Sequence, residues 1–435
     1  MKSIVVVGAG PAGAAVALGL RRLGFEVCVV SEWRRFAALE GVSQRVLQAL
    51  RGAGLNHALA VASEPSWRRV NWNGESHAQN VEALLDRPRF DRGLRDDLHA
   101  AGVRLIEARV LNVRHEHGRS LIDLDGAPSL HADFHVEARG RQAPQHDKTL
   151  GRAWRGPETL SLLNRWQGAP GSTASAVESQ ADGWMWMARQ ADGRCYWQWT
   201  LDVAANALPD KAALADFCRQ RRRQSALARD FFGDAAEHEL QLHARSSTAI
   251  LAPACGGQGW LRVGDAAMAV DPLSGNGIFQ SLSSALQAPA VINTLLTHPE
   301  RSELALRFHQ QRVEQLFWRF ARLGRDFYSE EQRWADQPFW QPRRQWPDAQ
   351  PTHAEADFAS LRVEAAPVLR DGLVDLAQVV ISSDQPLGIW HLNGVELAPL
   401  VSRLKTEPLE QVLGALSAEQ QRWIRAWLLE QGYRM

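Results

Sequence analysis

The chain opens on an apolar run. Ser3 to Val7 is largely β-branched, the pattern of a strand covered on both faces. Glycines interrupt it, and Ala14 to Leu23 then repeats small and apolar residues as a helix does. Gly24 to Val30 returns to the buried-strand pattern, so the first segment predicts a βαβ unit. Farther on, Gly183 to Leu201 surrounds an Asp192-Gly193 pair, which predicts a hairpin with a two-residue turn. On that turn Trp186 faces Trp199, Ala188 faces Trp197 and Trp184 faces Leu201. All four tryptophans then share one face, with Met185, Met187, Gln198 and Thr200 on the other. Trp260 to Val263 predicts another strand and Ile278 to Leu286 a helix. Pro338 to Pro351 is Pro-rich and loop-like. Beyond it, apolar residues at Leu409, Val412, Leu413 and Leu416, then Trp423, Ile424, Trp427 and Leu428, predict amphipathic helices.

Chemistry enters with the glycines of the first unit. Gly8, Gly10 and Gly13, with Ala12 between them, form GxGxxG between a strand and a helix. Gly8 permits the tight turn, Gly10 lets backbone approach a pyrophosphate, and Gly13 lets helix and strand pack closely. The free N–H groups at the helix start complement phosphate charge. By position Ser31 fills the slot where a ribose-binding acid is expected, and Glu32 follows one residue later.

A second cluster selects the dinucleotide. Gly264-Asp265 ends the Trp260–Val263 strand, Pro272 stands in the following loop, and Gly275-Asn276-Gly277 feeds a helix. A carboxylate after a strand suits ribityl hydroxyls. A glycine turn at a helix start suits the pyrimidine edge of a flavin, where negative charge appears on reduction. Both features favour FAD over NAD.

Composition narrows the class. The chain has 435 residues and balanced charge, Lys+Arg 49 against Asp+Glu 49, which gives no reason to expect nucleic acid or an anionic membrane as partner. Cys28, Cys195, Cys218 and Cys255 are scattered without metal-ligand spacing, so no metal is expected and a reducing, cytoplasmic setting is. No apolar run is long enough to span a membrane. His115-Glu116-His117 is expected at an exposed turn, and the run Arg219 to Arg223 on a solvated helix face.

The sequence resembles the FAD-dependent aromatic monooxygenases of the p-hydroxybenzoate hydroxylase type and their relatives, the flavin-dependent tryptophan halogenases. The resemblance rests on Gly8/Gly10/Gly13, Gly41 to Leu55, Arg87 to Leu105, Ala132 to Arg141 and the GDAAMAVDPLSGNG stretch from Gly264. It implies that Arg45 contacts the cofactor and that Gly140-Arg141 closes a cofactor strand, where Glu137-Ala138-Arg139-Gly140 replaces the family's DATG. The GWMWM of the hairpin is similar to a halogenase signature in the segment that carries the substrate sheet, and Phe327 to Trp340 is similar to another stretch of the same halogenases. Halogenases need a lysine in the N-terminal third, whereas no lysine lies between Lys2 and Lys148. The resemblance therefore implies hydroxylation through a flavin C4a-hydroperoxide. It extends to the tryptophan-hydroxylating flavin monooxygenases that mature quinohemoprotein amine dehydrogenase.

The expected fold is α/β: a Rossmann-like FAD-binding domain (1–65, 88–152 and 246–330), an inserted β-sheet substrate domain (66–87 and 153–245), and a C-terminal region (331–435) with a small, mostly helical domain. Trp184, Trp186, Trp197 and Trp199 are the expected substrate wall; His243 and Arg245 are weaker candidates for a polar role. Electrons would come from NAD(P)H or from reduced flavin supplied by a flavin reductase, and O2 is the oxidant. The aromatic substrate is either free or a tryptophan presented by a small partner protein. A halogenase, a reductase or dehydrogenase, and a non-catalytic FAD-binding protein are the competing readings.

Overall fold

The computed structural model describes residues 2–34, 36–116, 118–144, 151–233, 238–275 and 277–434. It divides into two compact units: Met1–Pro289 with Val313–Ala349, and Ala290–Arg312 with Gln350–Met435.

The first unit holds two principal sheets. Its six-stranded sheet runs in the order Gly256–Gly257, Trp260–Arg262, Phe134–Glu137, Ser3–Val7, Glu26–Val30, Arg104–Ile106. Every pairing in it is parallel except the first. In the parallel register Val7 pairs with Glu137 and Glu137 with Arg262. Three segments far apart in sequence therefore leave the sheet side by side at their carboxyl ends, where open α/β sheets bind ligands. The run Val5, Val6 and Val7 is buried, as its apolar pattern predicts. The helix Pro11–Arg22 follows Ser3–Val7 directly and starts earlier than its apolar pattern suggests, because Pro11 is preorganised for a first helical position.

The eight-stranded sheet runs His238–Ser246, Leu160–Gln167, Arg194–Leu201, Gly183–Arg189, Ala174–Gln180, Ser66–Trp72, Glu75–Asp86, Leu39–Val42. Only Ala174–Gln180 with Ser66–Trp72 is a parallel pair. The tryptophan hairpin lies at its centre, but in a different register from the expected one. Trp184 pairs with Thr200, Trp186 with Gln198 and Ala188 with Tyr196. The cause is the turn. Gln190 N–H donates to Arg194 O (2.9 Å) and Gly193 N–H to Gln190 O (3.0 Å), with Gly193 at φ +86. The loop thus has three residues, Ala191 to Gly193, closed by a left-handed glycine instead of a two-residue turn. One extra residue moves one strand by one place, which exchanges its faces. Trp184 and Trp186 share a face with Tyr196, whereas Trp197 and Trp199 share the other with Met185, Met187 and Leu201.

The Trp197 face is a dry core. Cys218, Ala228 and Phe231 of the helices Leu214–Gln224 and Ala226–Phe232 cover it. Here the expected solvated arginine run departs from expectation: Arg222 is buried, with its guanidinium 4.4 Å from the Trp166 ring centre and 5.5 Å from that of Trp197. A cation can occupy an apolar core when ring faces receive it.

The second unit is built on a hairpin, Arg362–Arg370 with Leu373–Ile381, whose turn residues Asp371 and Gly372 both have positive φ. The helices Leu397–Leu404, Leu409–Leu413 and Ala418–Glu430 pack their apolar faces together, and Ser417 and Gln420 form a capping box. Val412, Leu413, Ile424, Trp427 and Leu428 are buried as expected, while Trp423 is exposed. No helix among the described residues is long and apolar enough to cross a membrane.

Candidate active site

At the carboxyl edge of the six-stranded sheet, close packing explains two of the three fingerprint glycines. A Cβ on Gly8 would lie 2.4 Å from Ala138 O, and one on Gly13 only 1.9 Å from Gly8 O. A Cβ on Gly10 would meet nothing within 4 Å. Gly10 is the N-cap of Pro11–Arg22 and no side chain caps that helix. An open backbone ledge against an uncapped helix start is the arrangement a pyrophosphate fills. Glu32 and Arg45 are exposed, at the end of the second strand and in the first turn of the helix Gln44–Ala53.

The second fingerprint meets the first. A Cβ on Gly264 (φ +60) would lie 2.6 Å from Ala12 Cβ, so Gly264 permits the contact. Asp265 accepts from Ser281 Oγ (2.9 Å) and faces Arg141 Nε at 3.6 Å. Arg141 also donates to Val270 O (2.9 Å) and to Thr248 O. Gly275 adopts φ +62 after the short turn Pro272–Ser274, and a Cβ on Gly275 or Gly277 would meet nothing within 4 Å. These residues fit a flavin edge laid against bare backbone. Asn276 lies outside the described residues.

Asp265, Pro272, Gly275 and Gly277 border a cavity of about 1020 Å3, large enough for a cofactor ring and a guest. Trp184 and Trp186 line it together with Trp72, Leu163 and Val177. Trp197 and Trp199 do not, since the hairpin turns them to the opposite face. Of the four expected wall residues the cavity therefore gathers two. Behind the wall, Tyr328, Phe339 and Trp340 pack edge-on at 5.4–5.9 Å between ring centres. Tyr328 links wall to loop: it accepts from Trp184 Nε1 (3.3 Å) and donates to Asp271 Oδ1 (2.9 Å). Burial raises the Asp271 carboxyl, and burial together with Asp271 drives the Tyr328 hydroxyl well above its ordinary value. Tyr328 is thus a neutral donor at physiological pH.

A charged cluster lies at another part of the lining. Arg87 binds Glu40 Oε1 (2.7 Å) and Asp91 Oδ1 (2.7 Å), and Arg34 binds Asp91 Oδ2 (3.0 Å). Burial opposes the Glu40 charge, but Arg87 and Arg34 outweigh it and hold the carboxyl below its usual range. Arg245 borders the cavity. Burial, then repulsion from Arg34, brings its guanidinium down to about 10, still a cation near neutrality. The ring of His243 packs on Phe36, with 5.2 Å between ring centres. Among the described residues no cluster of His, Cys, Asp and Glu could hold a metal ion.

Sequence reasoning missed Glu82, Glu40, Asp271 and Tyr328. Tyr328 stands inside the Phe327–Trp340 stretch that resembles a halogenase segment. Glu82 carries no local signal, because only strand pairing brings it to the cavity.

Comparison with known proteins extends this geometry. The Lycopene cyclase protein family matches residues 3–161. The solved structure of QhpG, a peptidyl tryptophan dihydroxylase essential for tryptophylquinone cofactor biogenesis, superposes with a TM-score of 0.88 at 64% identity, covering 100% of both chains. The flavin-dependent halogenase CmlS superposes at 0.77 with 16% identity, covering 99% of this chain and 95% of its own, a likeness of fold. A menaquinone reductase of Mycolicibacterium smegmatis is 25% identical over 307 residues, 65% of this chain and 74% of the reductase.

Proposed function

Because the chain belongs to the family of the peptidyl tryptophan dihydroxylase QhpG, an FAD-dependent aromatic monooxygenase, we propose that its substrate is a tryptophan held in a small partner protein, hydroxylated on the way to a tryptophylquinone. The observation that carries this reading is identity of 64% along the whole chain, together with a cavity walled by Trp184 and Trp186.

FAD would lie with its pyrophosphate on Gly8, Gly10, Ala12 and Gly13. Asp265 would receive ribityl hydroxyls, and Gly264, Pro272, Gly275, Asn276 and Gly277 would frame the flavin edge. Glu32 and Arg45 are the outer candidates for ribose and cofactor contact. When bound, the reduced flavin supplies activated oxygen from O2. Its electrons come from NAD(P)H or from a separate flavin reductase. The chain's own residues orient the guest ring between aromatic faces, worth about 0.5–1.5 kcal/mol per ring pair beyond burial. They also exclude water, and Tyr328 fixes the Trp184 ring against the Asp271 loop.

The lack of any lysine between Lys2 and Lys148 favours oxygen over halide transfer. The test is mass spectrometry of the tryptophan-bearing partner after incubation with FAD-loaded chain, reductant and oxygen. A gain of about 16 or 32 mass units on one tryptophan is expected. No gain with all components present, halogen incorporation, or equal turnover without oxygen would contradict the proposal.

A further inference from the structure

The structure assigns Glu82 as the group that receives the indole N–H of the guest tryptophan, an inference that rests on the function just proposed. Among the described residues, six acidic side chains border the cavity: Glu40, Glu75, Glu82, Asp265, Asp271 and Glu330. Glu75 and Glu330 are exposed. Glu40 is engaged by Arg87, Asp265 by Ser281, and Asp271 by Tyr328 and the Leu273 N–H. Glu82 is different. It is 7% exposed, and its two contacts are long. Trp186 Nε1 donates to Oε1 at 3.3 Å, and Arg68 Nη1 stands 3.4 Å from Oε2. Amide-type donors reach carboxyl oxygens at about 2.9 Å when unconstrained, and a carboxylate has about four acceptor positions. Glu82 therefore has acceptor capacity left.

Its recognition chemistry is already displayed, because the one aromatic donor it meets is an indole N–H. Gly41 makes room for the carboxylate itself: a Cβ there would lie 2.3 Å from Glu82 Oε2. A second indole entering along the Trp186 wall would find a buried acceptor at the height where Trp186 finds it. Removal from water strengthens such a bond. Drawing the N–H toward a carboxyl oxygen pushes electron density into the ring, which an electrophilic oxygen transfer requires.

The test is calorimetric titration of the FAD-loaded full chain with indole, 1-methylindole and benzothiophene. Wild type is expected to bind indole at least about tenfold more tightly than either probe lacking the N–H, the size of one hydrogen bond to a charged group. Glu82→Gln should shrink that preference at least about threefold with little change for 1-methylindole. Equal affinity of wild type for indole and benzothiophene overturns the assignment even if the variant fails to fold. A preference that survives unchanged in folded Glu82→Gln overturns it too. If none of the three probes binds wild type, the aromatic-pocket reading falls, and this assignment with it.

Discussion

Trp186 and Trp197 stand in neighbouring strands of one hairpin and belong to different parts of the molecule. Trp186 borders a cavity and hydrogen-bonds Glu82. Trp197 is fully buried among methionine and cysteine side chains, under a cationic guanidinium. Their residue type and their strand environment are the same. Only the face differs, and a single residue in the turn decides the face. Aromatic richness in a sheet is thus no measure of substrate contact until the register is known.

Substitutions should separate the two faces. Trp197→Ala leaves a void in close-packed core, and an expected loss of about 3–5 kcal/mol should appear in urea unfolding. Trp186→Ala should cost clearly less stability, because part of its surroundings is already cavity, while weakening indole binding. Equal destabilisation by the two would erase the distinction between wall and core.

The next effect concerns the cradle. Gly13→Ala forces a Cβ against Gly8 O, with strain of about 1–3 kcal/mol, so FAD titration of the apoprotein should report roughly tenfold to hundredfold weaker binding along with lower stability. Gly10→Ala meets only open space, so it should leave apoprotein stability nearly unchanged and still weaken FAD. Unaltered FAD affinity in Gly10→Ala would remove the pyrophosphate from that ledge.

Glu40→Gln should cost about 2 kcal/mol near neutrality by weakening its bond to Arg87. The Glu40 carboxyl is held low in the folded state. Its contribution is therefore present above the ordinary glutamate range and lost as pH falls through the lowered value. The acid limb of the stability curve below about pH 4.5 should accordingly be flatter in the variant. An identical acid limb would show that Glu40 does not titrate with unfolding. The smallest effect is Tyr328→Phe, at about 1 kcal/mol, since it removes one hydroxyl between Trp184 and Asp271. A loss above about 3 kcal/mol would mean that the hydroxyl does more than bridge them.

The meeting of the two glycine fingerprints was legible because its information is local. Gly8, Gly10 and Gly13 act through the turn they form, and Gly264 and Asp265 through the strand end they occupy. That these segments converge follows from parallel pairing of Ser3–Val7, Phe134–Glu137 and Trp260–Arg262. The aromatic wall of the cavity was half legible. Asp192-Gly193 announces a turn, but whether two or three residues form it depends on backbone bonds at Gln190 and Arg194. Trp184 and Trp186 reach the cavity, whereas Trp197 and Trp199 do not. Arg222 was hidden for another reason: a run of arginines reads as solvated, whereas the fold brings Arg222 onto the rings of Trp166 and Trp197. Glu82 and Tyr328 were illegible as a pair with their indole partners, since each contact joins strands or helices distant in sequence.

The most direct measurement is a crystal structure of the FAD-loaded chain soaked with indole. The account predicts the flavin ring against Asp265, Gly275 and Gly277, with indole in the cavity beside Trp186 and its N–H toward Glu82. Indole seated on the Trp197 face, or a flavin bound away from the two fingerprints, would contradict it.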